Sequence, residues 1–61
     1  MTVEFLDVYG DGSFILNVSM ISYVRVNPSA PTRCFVRSDG KETELKMTPV
    51  QLMKKSRFVR E

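Results

Sequence analysis

Arginines alternate with aromatic and aliphatic residues in two neighbouring segments, "ISYVRVN" (21–27) and "TRCFVRS" (32–38). Successive side chains of a strand point to opposite faces, so if the segments pair, their arginines share one face with an aromatic ring from each segment. The residues of this face are Tyr23, Arg25, Arg33, Phe35 and Arg37. Guanidinium groups beside exposed rings are the chemistry by which sheet proteins hold phosphate and stack bases. These side chains are therefore candidate nucleic-acid contacts.

Glutamates in the next segment offer the same arginines another partner. Asp39-Gly40 is typical of a two-residue type I′ turn, and this turn places Arg37 opposite Glu42. It also places Arg33 diagonal to Glu44. Cross-strand pairs of opposite charge contribute about 0.2–1 kcal/mol each, and carboxylates in the middle of the face repel phosphate. We therefore interpret the face first as a solvated surface whose arginines are already paired.

The opposite face of the same segments is apolar and is predicted to be core. With a five-residue connection, residues 28–32, each valine of the first segment faces an apolar residue of the second. The predicted core residues of this face are Val24, Val26, Cys34, Val36 and Leu45. Because Cys34 lies on this face, it is expected to be a small buried hydrophobe and not a nucleophile.

A second group of cations lies at the C-terminal end, in "KKSRFVRE" (54–61). Residues 1–24 hold three acidic residues and no basic one, whereas residues 25–61 hold all nine basic residues against four acidic ones, a balance of +5. The terminal cations either complement the dipole of a preceding helix or contact phosphate, and the pattern does not choose between these accounts. The candidate nucleic-acid contacts are Arg33, Lys54, Lys55, Arg57 and Arg60, with Arg25 and Arg37 as weaker ones.

No enzymatic activity, cofactor or metal is expected. The chain has no histidine to activate its serines. Its single cysteine allows neither an intrachain disulfide nor a zinc site.

The elements that position these residues form one domain, residues 1–61, of mainly β structure with one helix. The pattern predicts a hairpin over 3–18, strands over 21–27, 32–38 and 41–47, and a helix over 49–56. In the hairpin a Gly10-Asp11-Gly12 loop places Leu6 opposite Leu16. Thr48 begins the helix with a Thr-x-x-Gln capping box, and residues 57–61 form a tail or a short sixth strand. The expected fold is a small antiparallel five-stranded meander with a short C-terminal helix, which buries Val50, Leu52 and Met53.

The size of the chain favours a homo-oligomer. A domain of 61 residues buries only about 60% of the surface of its unfolded chain, and small domains usually need a disulfide, a metal or a partner. The hairpin is apolar on both faces, because Phe5, Tyr9 and Ile15 lie opposite the core face. The lone thiol, the acidic N-terminus and the lack of a long apolar run predict a cytoplasmic protein that does not enter a membrane.

Short motifs give the chain a resemblance to known families. "MISYV" and "NPSAP" (20–24 and 27–31) resemble the "MISIV" and "SPESAP" segments of the small bacterial extracellular-matrix regulatory proteins, the RemA family. The order of a Gly-x-x-x-Leu-Asn run (12–17), Pro31-Thr32 and an Asp-Gly-Lys turn (39–41) looks like the flagellar FlbD family. Both are similar in outline to DNA-binding sheets of the LytTR type, which share the strand–turn–strand–helix order.

The resemblance implies a LytTR-like fold and a ring-forming, DNA-binding regulator of transcription. Ser19 and residues 29–31 stand where the matrix regulators have arginines, and Arg33 is the one arginine that carries over. Two functions follow. The first is a homo-oligomeric, non-catalytic regulator that binds duplex DNA. The second is a protein-interaction and assembly module without nucleic-acid binding.

Overall fold

Two three-stranded antiparallel sheets and one short helix make up the fold. The computed structural model describes residues 2–61. The elements in chain order are β1 (Glu4–Asp7), β2 (Ile15–Asn17), a 3₁₀ turn (Val18–Met20), β3 (Ile21–Asn27), β4 (Ala30–Ser38), β5 (Lys41–Leu45), α1 (Pro49–Lys55) and β6 (Arg57–Arg60). The strand order is β2-β1-β6 in the first sheet and β3-β4-β5 in the second. The mainly β class with one short helix is therefore confirmed.

The predicted five-stranded meander is wrong, because β2 does not pair with β3. The Asn17 side chain accepts a hydrogen bond from the Ser19 N–H at 3.0 Å. This local bond ends β2 and begins the 3₁₀ turn, which separates the first sheet from the second. The second edge of β1 is occupied by β6, with Leu6 opposite Phe58. Residues 57–60 thus form a sixth strand.

The first hairpin has the predicted register but shorter strands. Leu6 faces Leu16, and the Val8 N–H donates to the Phe14 carbonyl at 2.9 Å. Regular pairing stops at Asp7, whose carboxylate binds backbone N–H groups of the following loop. The loop is therefore held by a side chain where strand pairing was expected.

The second sheet has the predicted residue pairs. Every pair from Cys34 opposite Leu45 to Ser38 opposite Lys41 is present, and the turn between them has positive φ at Asp39 (53°) and Gly40 (75°). β3 pairs with β4 as expected from Tyr23 to Val26. The connection is shorter than the predicted residues 28–32. Asn27 faces Ala30, whereas its neighbour Val26 faces Cys34. The extra residues of β4 between these two pairs form a bulge before Cys34.

The helix begins with the predicted capping box and ends one residue early. The Gln51 N–H donates to Thr48 Oγ1 at 3.1 Å, and the Thr48 N–H donates to Gln51 Oε1 at 3.0 Å. Only Leu52 of the helix is buried, and the expected burial of Val50 and Met53 is wrong. Residues two apart in a helix point about 200° apart, so a helix that directs Leu52 inward directs Val50 to solvent.

The core lies between the sheets and the helix, and the apolar residue of β3 that packs against it is Ile21. Its buried apolar residues are Leu6, Val8, Cys34, Val36, Leu45, Met47 and Leu52. The burial predicted for Val24 and Val26 is wrong, since these side chains are 39% and 47% exposed. They lie on the same face as Val36 and Cys34, but β3 is an edge strand, and the covering layer reaches it at Ile21 without burying these two valines. No helix among residues 2–61 has the length and apolar character that a membrane crossing requires.

Candidate interaction surfaces

The outer face of the second sheet, which we call the arginine face, brings most of the predicted sheet residues together. It carries Tyr23, Arg25, Arg33, Phe35, Arg37, Glu42 and Glu44. Arg25 lies over the Phe35 ring, with its guanidinium carbon 4.5 Å from the ring centroid. From there it reaches across β4 to Glu42, with Nη2 3.2 Å from Oε1 and Nε 3.3 Å from Oε2. The stacking platform is thus covered by the protein's own guanidinium.

Glu42 accepts hydrogen bonds from two other residues of the arginine face. The Tyr23 hydroxyl donates to Glu42 Oε2, which Arg25 also binds. The hydrogen bond from Tyr23, followed by that from Arg25, lowers the pKa of Glu42 below its ordinary value. Hydrogen bonding to Glu42 in turn raises the pKa of Arg25. Arg37 lies directly opposite Glu42, yet it forms no ion pair among the described residues, because Arg25 holds that carboxylate.

Glu44 neutralises the second arginine of the face. Arg33 Nη1 lies 3.1 Å from Glu44 Oε1, as its diagonal position predicted. Asn27 Nδ2 donates to the other oxygen, Oε2, at 2.7 Å. These contacts link β3, β4 and β5 at one end of the arginine face, and Arg33 is not free for phosphate unless this network opens.

The C-terminal arginines are bound to the first strand. Antiparallel pairing places β6 beside β1, so that Arg57 meets Asp7 and Arg60 meets Glu4. Arg57 Nε lies 3.1 Å from Asp7 Oδ2, and Arg60 Nε lies 3.1 Å from Glu4 Oε2. The acidic N-terminal part and the basic C-terminal part of the chain thus neutralise each other within one sheet.

Asp7, the last residue of β1, is a buried acceptor to which the loop and β6 both bind. The sequence analysis did not predict this role. The Asp7 side chain is 1% exposed and accepts from the Gly10 and Gly12 N–H groups at 3.1 Å, besides Arg57. The signal in the sequence is an aspartate followed within five residues by two glycines, whose backbone can approach a carboxylate closely. Among the described residues, no buried side-chain nitrogen or oxygen lacks a partner.

Lys54 and Lys55 are exposed in the last turn of α1 and form no ion pair within the described part of the chain. The helix end lies against the first loop, since an added Cβ on Gly10 would be 2.6 Å from the Lys55 carbonyl oxygen. The seven predicted contacts are thus divided among the second sheet, the first sheet and the helix. Four of the seven are in ion pairs, and Arg37, Lys54 and Lys55 are not.

Exposed apolar side chains form patches on both sheets. Phe5, Ile15 and Val59 line a shallow depression on the outer face of the first sheet. A second depression lies between β1, α1 and β6 and is lined in part by Leu52, Met53 and Phe58. Both depressions leave apolar side chains accessible to another molecule.

Cys34 is fully buried, and burial raises the pKa of its thiol. Within residues 2–61, no group of three or more potential metal ligands is found. No known protein family matches the chain, and no curated protein or solved structure is significantly similar to it. The RemA-like, FlbD-like and LytTR-like character therefore stays a prediction from short motifs.

Proposed function

We propose that the protein is a non-catalytic module that acts by assembling with other polypeptide chains, first of all with a second copy of itself. The observation that carries this proposal is the number of exposed apolar side chains compared with the number of buried ones. Eleven large apolar or aromatic side chains are exposed in the described residues, against seven buried apolar ones. Single exposed apolar residues are ordinary, but here six of the eleven lie on strands, namely Ile15, Tyr23, Val24, Val26, Phe58 and Val59.

The charges of the arginine face support assembly over phosphate binding. Arg25 and Arg33 are held by glutamates on the same face. A phosphate that binds there must displace a carboxylate or lie beside one, and like charges in contact are unfavourable. The same pairs neutralise the face without burying it, which leaves the Tyr23 ring and the aliphatic stems of the arginines available to a protein partner.

The proposal is tested by the mass of the protein in solution. Light scattering after size exclusion, over a range of loading concentrations, should give a mass above that of one 7.0 kDa chain. Fluorescence anisotropy of labelled duplex DNA, single-stranded DNA and RNA should show no binding at low salt. An oligomer that binds none of the three agrees with the proposal, whereas a monomer at every concentration contradicts it.

A second candidate is the homo-oligomeric DNA-binding regulator that the resemblance implies. It is favoured by one observation: Lys54 and Lys55 at the end of α1 are exposed and form no ion pair with the other residues of 2–61. Duplex binding that weakens steeply with salt is the result that supports it. Lys54→Ala with Lys55→Ala should then weaken binding and flatten the salt dependence, while Lys41→Ala with Lys46→Ala removes the same charge elsewhere and serves as the control. Arg57 is unsuitable for this test, because it also binds Asp7.

A further inference from the structure

β3 is an open strand with unused backbone hydrogen-bonding groups. The Asp39 N–H donates to the Met20 carbonyl at 3.0 Å, so odd-numbered residues of β4 direct their backbone groups toward β3. Hydrogen-bonded pairs alternate along an antiparallel ladder. Tyr23 and Arg25 face odd-numbered residues of β4. Their backbone N–H and C=O groups therefore form hydrogen bonds with β4. Val24 lies between them, so its N–H and C=O point to the open edge.

This edge lacks the protection that the other sheet edges have. β2 is only three residues long, and charged side chains occupy the edges of β5 and β6. Such short or charged edges discourage pairing with another chain. β3 has seven residues without lysine or proline, and its one charged side chain, Arg25, is held by Glu42. Register shifts flank Tyr23–Val26 and leave this middle segment regular.

Exposed apolar side chains are concentrated at the same edge. Four of the eleven lie between residues 20 and 26, namely Met20, Tyr23, Val24 and Val26. Val24 and Val26 belong to the core face of the second sheet, where Val36 and Cys34 beside them are buried. A strand added at β3 would extend that face and place the side chains of the partner beside the exposed valines.

We propose that two copies pair antiparallel through β3, about a two-fold axis at Val24, and form one six-stranded sheet. In this register Val24 faces the partner's Val24 in a hydrogen-bonded pair, and Tyr23 faces the partner's Arg25. No like charges lie opposite each other in this register, so the strand is complementary to itself. An axis at Arg25 would instead place two like charges directly opposite each other, which is destabilising. The inference rests on the proposed function, because it specifies the surface through which self-assembly occurs.

Single cysteines test the register in the full chain. Residues opposite each other in a hydrogen-bonded antiparallel pair have Cα atoms about 5.5 Å apart, within the range that a disulfide spans. Under mild oxidation, Val24→Cys should therefore give a covalent dimer on a non-reducing gel. Val26→Cys is the matched control on the same face. Its symmetry mate lies four residues along the strand, about 13 Å away, so it should stay uncrosslinked, as should the wild type with its buried Cys34.

A second measurement needs no crosslink. Val24→Lys places two ammonium groups across the axis and should halve the mass measured by light scattering, while Val50→Lys, on the exposed side of α1, should leave it at the wild-type value. Circular dichroism checks that both variants are folded. A dimer that keeps its mass in Val24→Lys, or a crosslink through Arg25→Cys but not Val24→Cys, overturns the β3 register and leaves the proposed function standing. A wild-type monomer at every concentration refutes both.

Discussion

Replacing Asp7 with alanine should destabilise the protein more than any change of a surface charge. The carboxylate accepts from two backbone N–H groups and from Arg57, each at 3.1 Å, and its side chain is 1% exposed. Alanine leaves those donors without their acceptor in a loop that depends on it. The first hairpin then loses the carboxylate that holds its loop, residues 8–14, in place.

The size of the effect follows from the number and exposure of these bonds. Hydrogen bonds to charged groups contribute about 1.5–3 kcal/mol each. Gly10 and Gly12 are partly accessible and Arg57 is 66% exposed, so water recovers some of the loss. We expect a cost of about 3 kcal/mol for Asp7→Ala, a large share of the ~3–9 kcal/mol that a domain of this length has in total.

Urea unfolding at pH 7, followed by circular dichroism at one fixed protein concentration, measures this cost. Arg57→Ala removes only the exposed partner and leaves both backbone donors bound to Asp7, so it should cost clearly less than Asp7→Ala. Asp11→Ala, in the same loop, removes an exposed carboxylate that binds Ser13 alone, and should change little. If Arg57→Ala costs as much as Asp7→Ala, the ion pair and not the backbone hydrogen bonds holds the loop, and the reasoning fails.

Three further predictions concern the same fold. Gly10→Ala should cost clearly more free energy of unfolding than Gly12→Ala, because both residues have positive φ but only at Gly10 does a Cβ meet backbone, 2.6 Å from a carbonyl oxygen. Equal costs in urea unfolding would show that the loop moves away from the helix. Cys34 should react slowly with a thiol reagent in the native protein and rapidly in urea, because burial raises its pKa and keeps it protonated. A fast native reaction would contradict the buried position. Glu42 has a lowered pKa in the folded state, so its contribution is present above the unfolded glutamate pKa of about 4.3 and is lost as the pH falls through the lower folded value. The stability difference between wild type and Glu42→Gln should therefore shrink below that pH, and a difference that stays constant would exclude the predicted linkage.

Local chemistry made the second sheet predictable. Asp39 and Gly40 adopt the positive φ angles that a type I′ turn requires, and once that turn is placed, the register of β4 and β5 follows. The capping box at Thr48 likewise needs only residues within one helical turn. In both cases the residues that determine the structure are neighbours in the chain, so a single sequence contains the information.

Long-range choices were not predictable in the same way. Whether β3 or β6 joins the first hairpin depends on packing between residues some 50 positions apart, as in the contact of Asp7 with Arg57. The alternation of apolar residues in β3 indicated which face Val24 occupies. It could not indicate that the layer on that face leaves Val24 exposed, because burial depends on the arrangement of the whole domain.

The pairing of β1 with β6 also changes the meaning of the charge asymmetry. The acidic start and basic remainder of the chain resemble the charge pattern of a nucleic-acid-binding protein. In the fold, Glu4 and Asp7 take up Arg60 and Arg57, and the glutamates of β5 take up two more arginines. Four of the nine basic residues thereby hold separate segments of the chain together. Any phosphate-binding role is then left mainly to unpaired side chains such as Arg37, Lys54 and Lys55, whereas the apolar edge of β3 has no internal partner among the described residues. The exposed valines of that edge are the reason why we propose that it pairs with a second β3 strand.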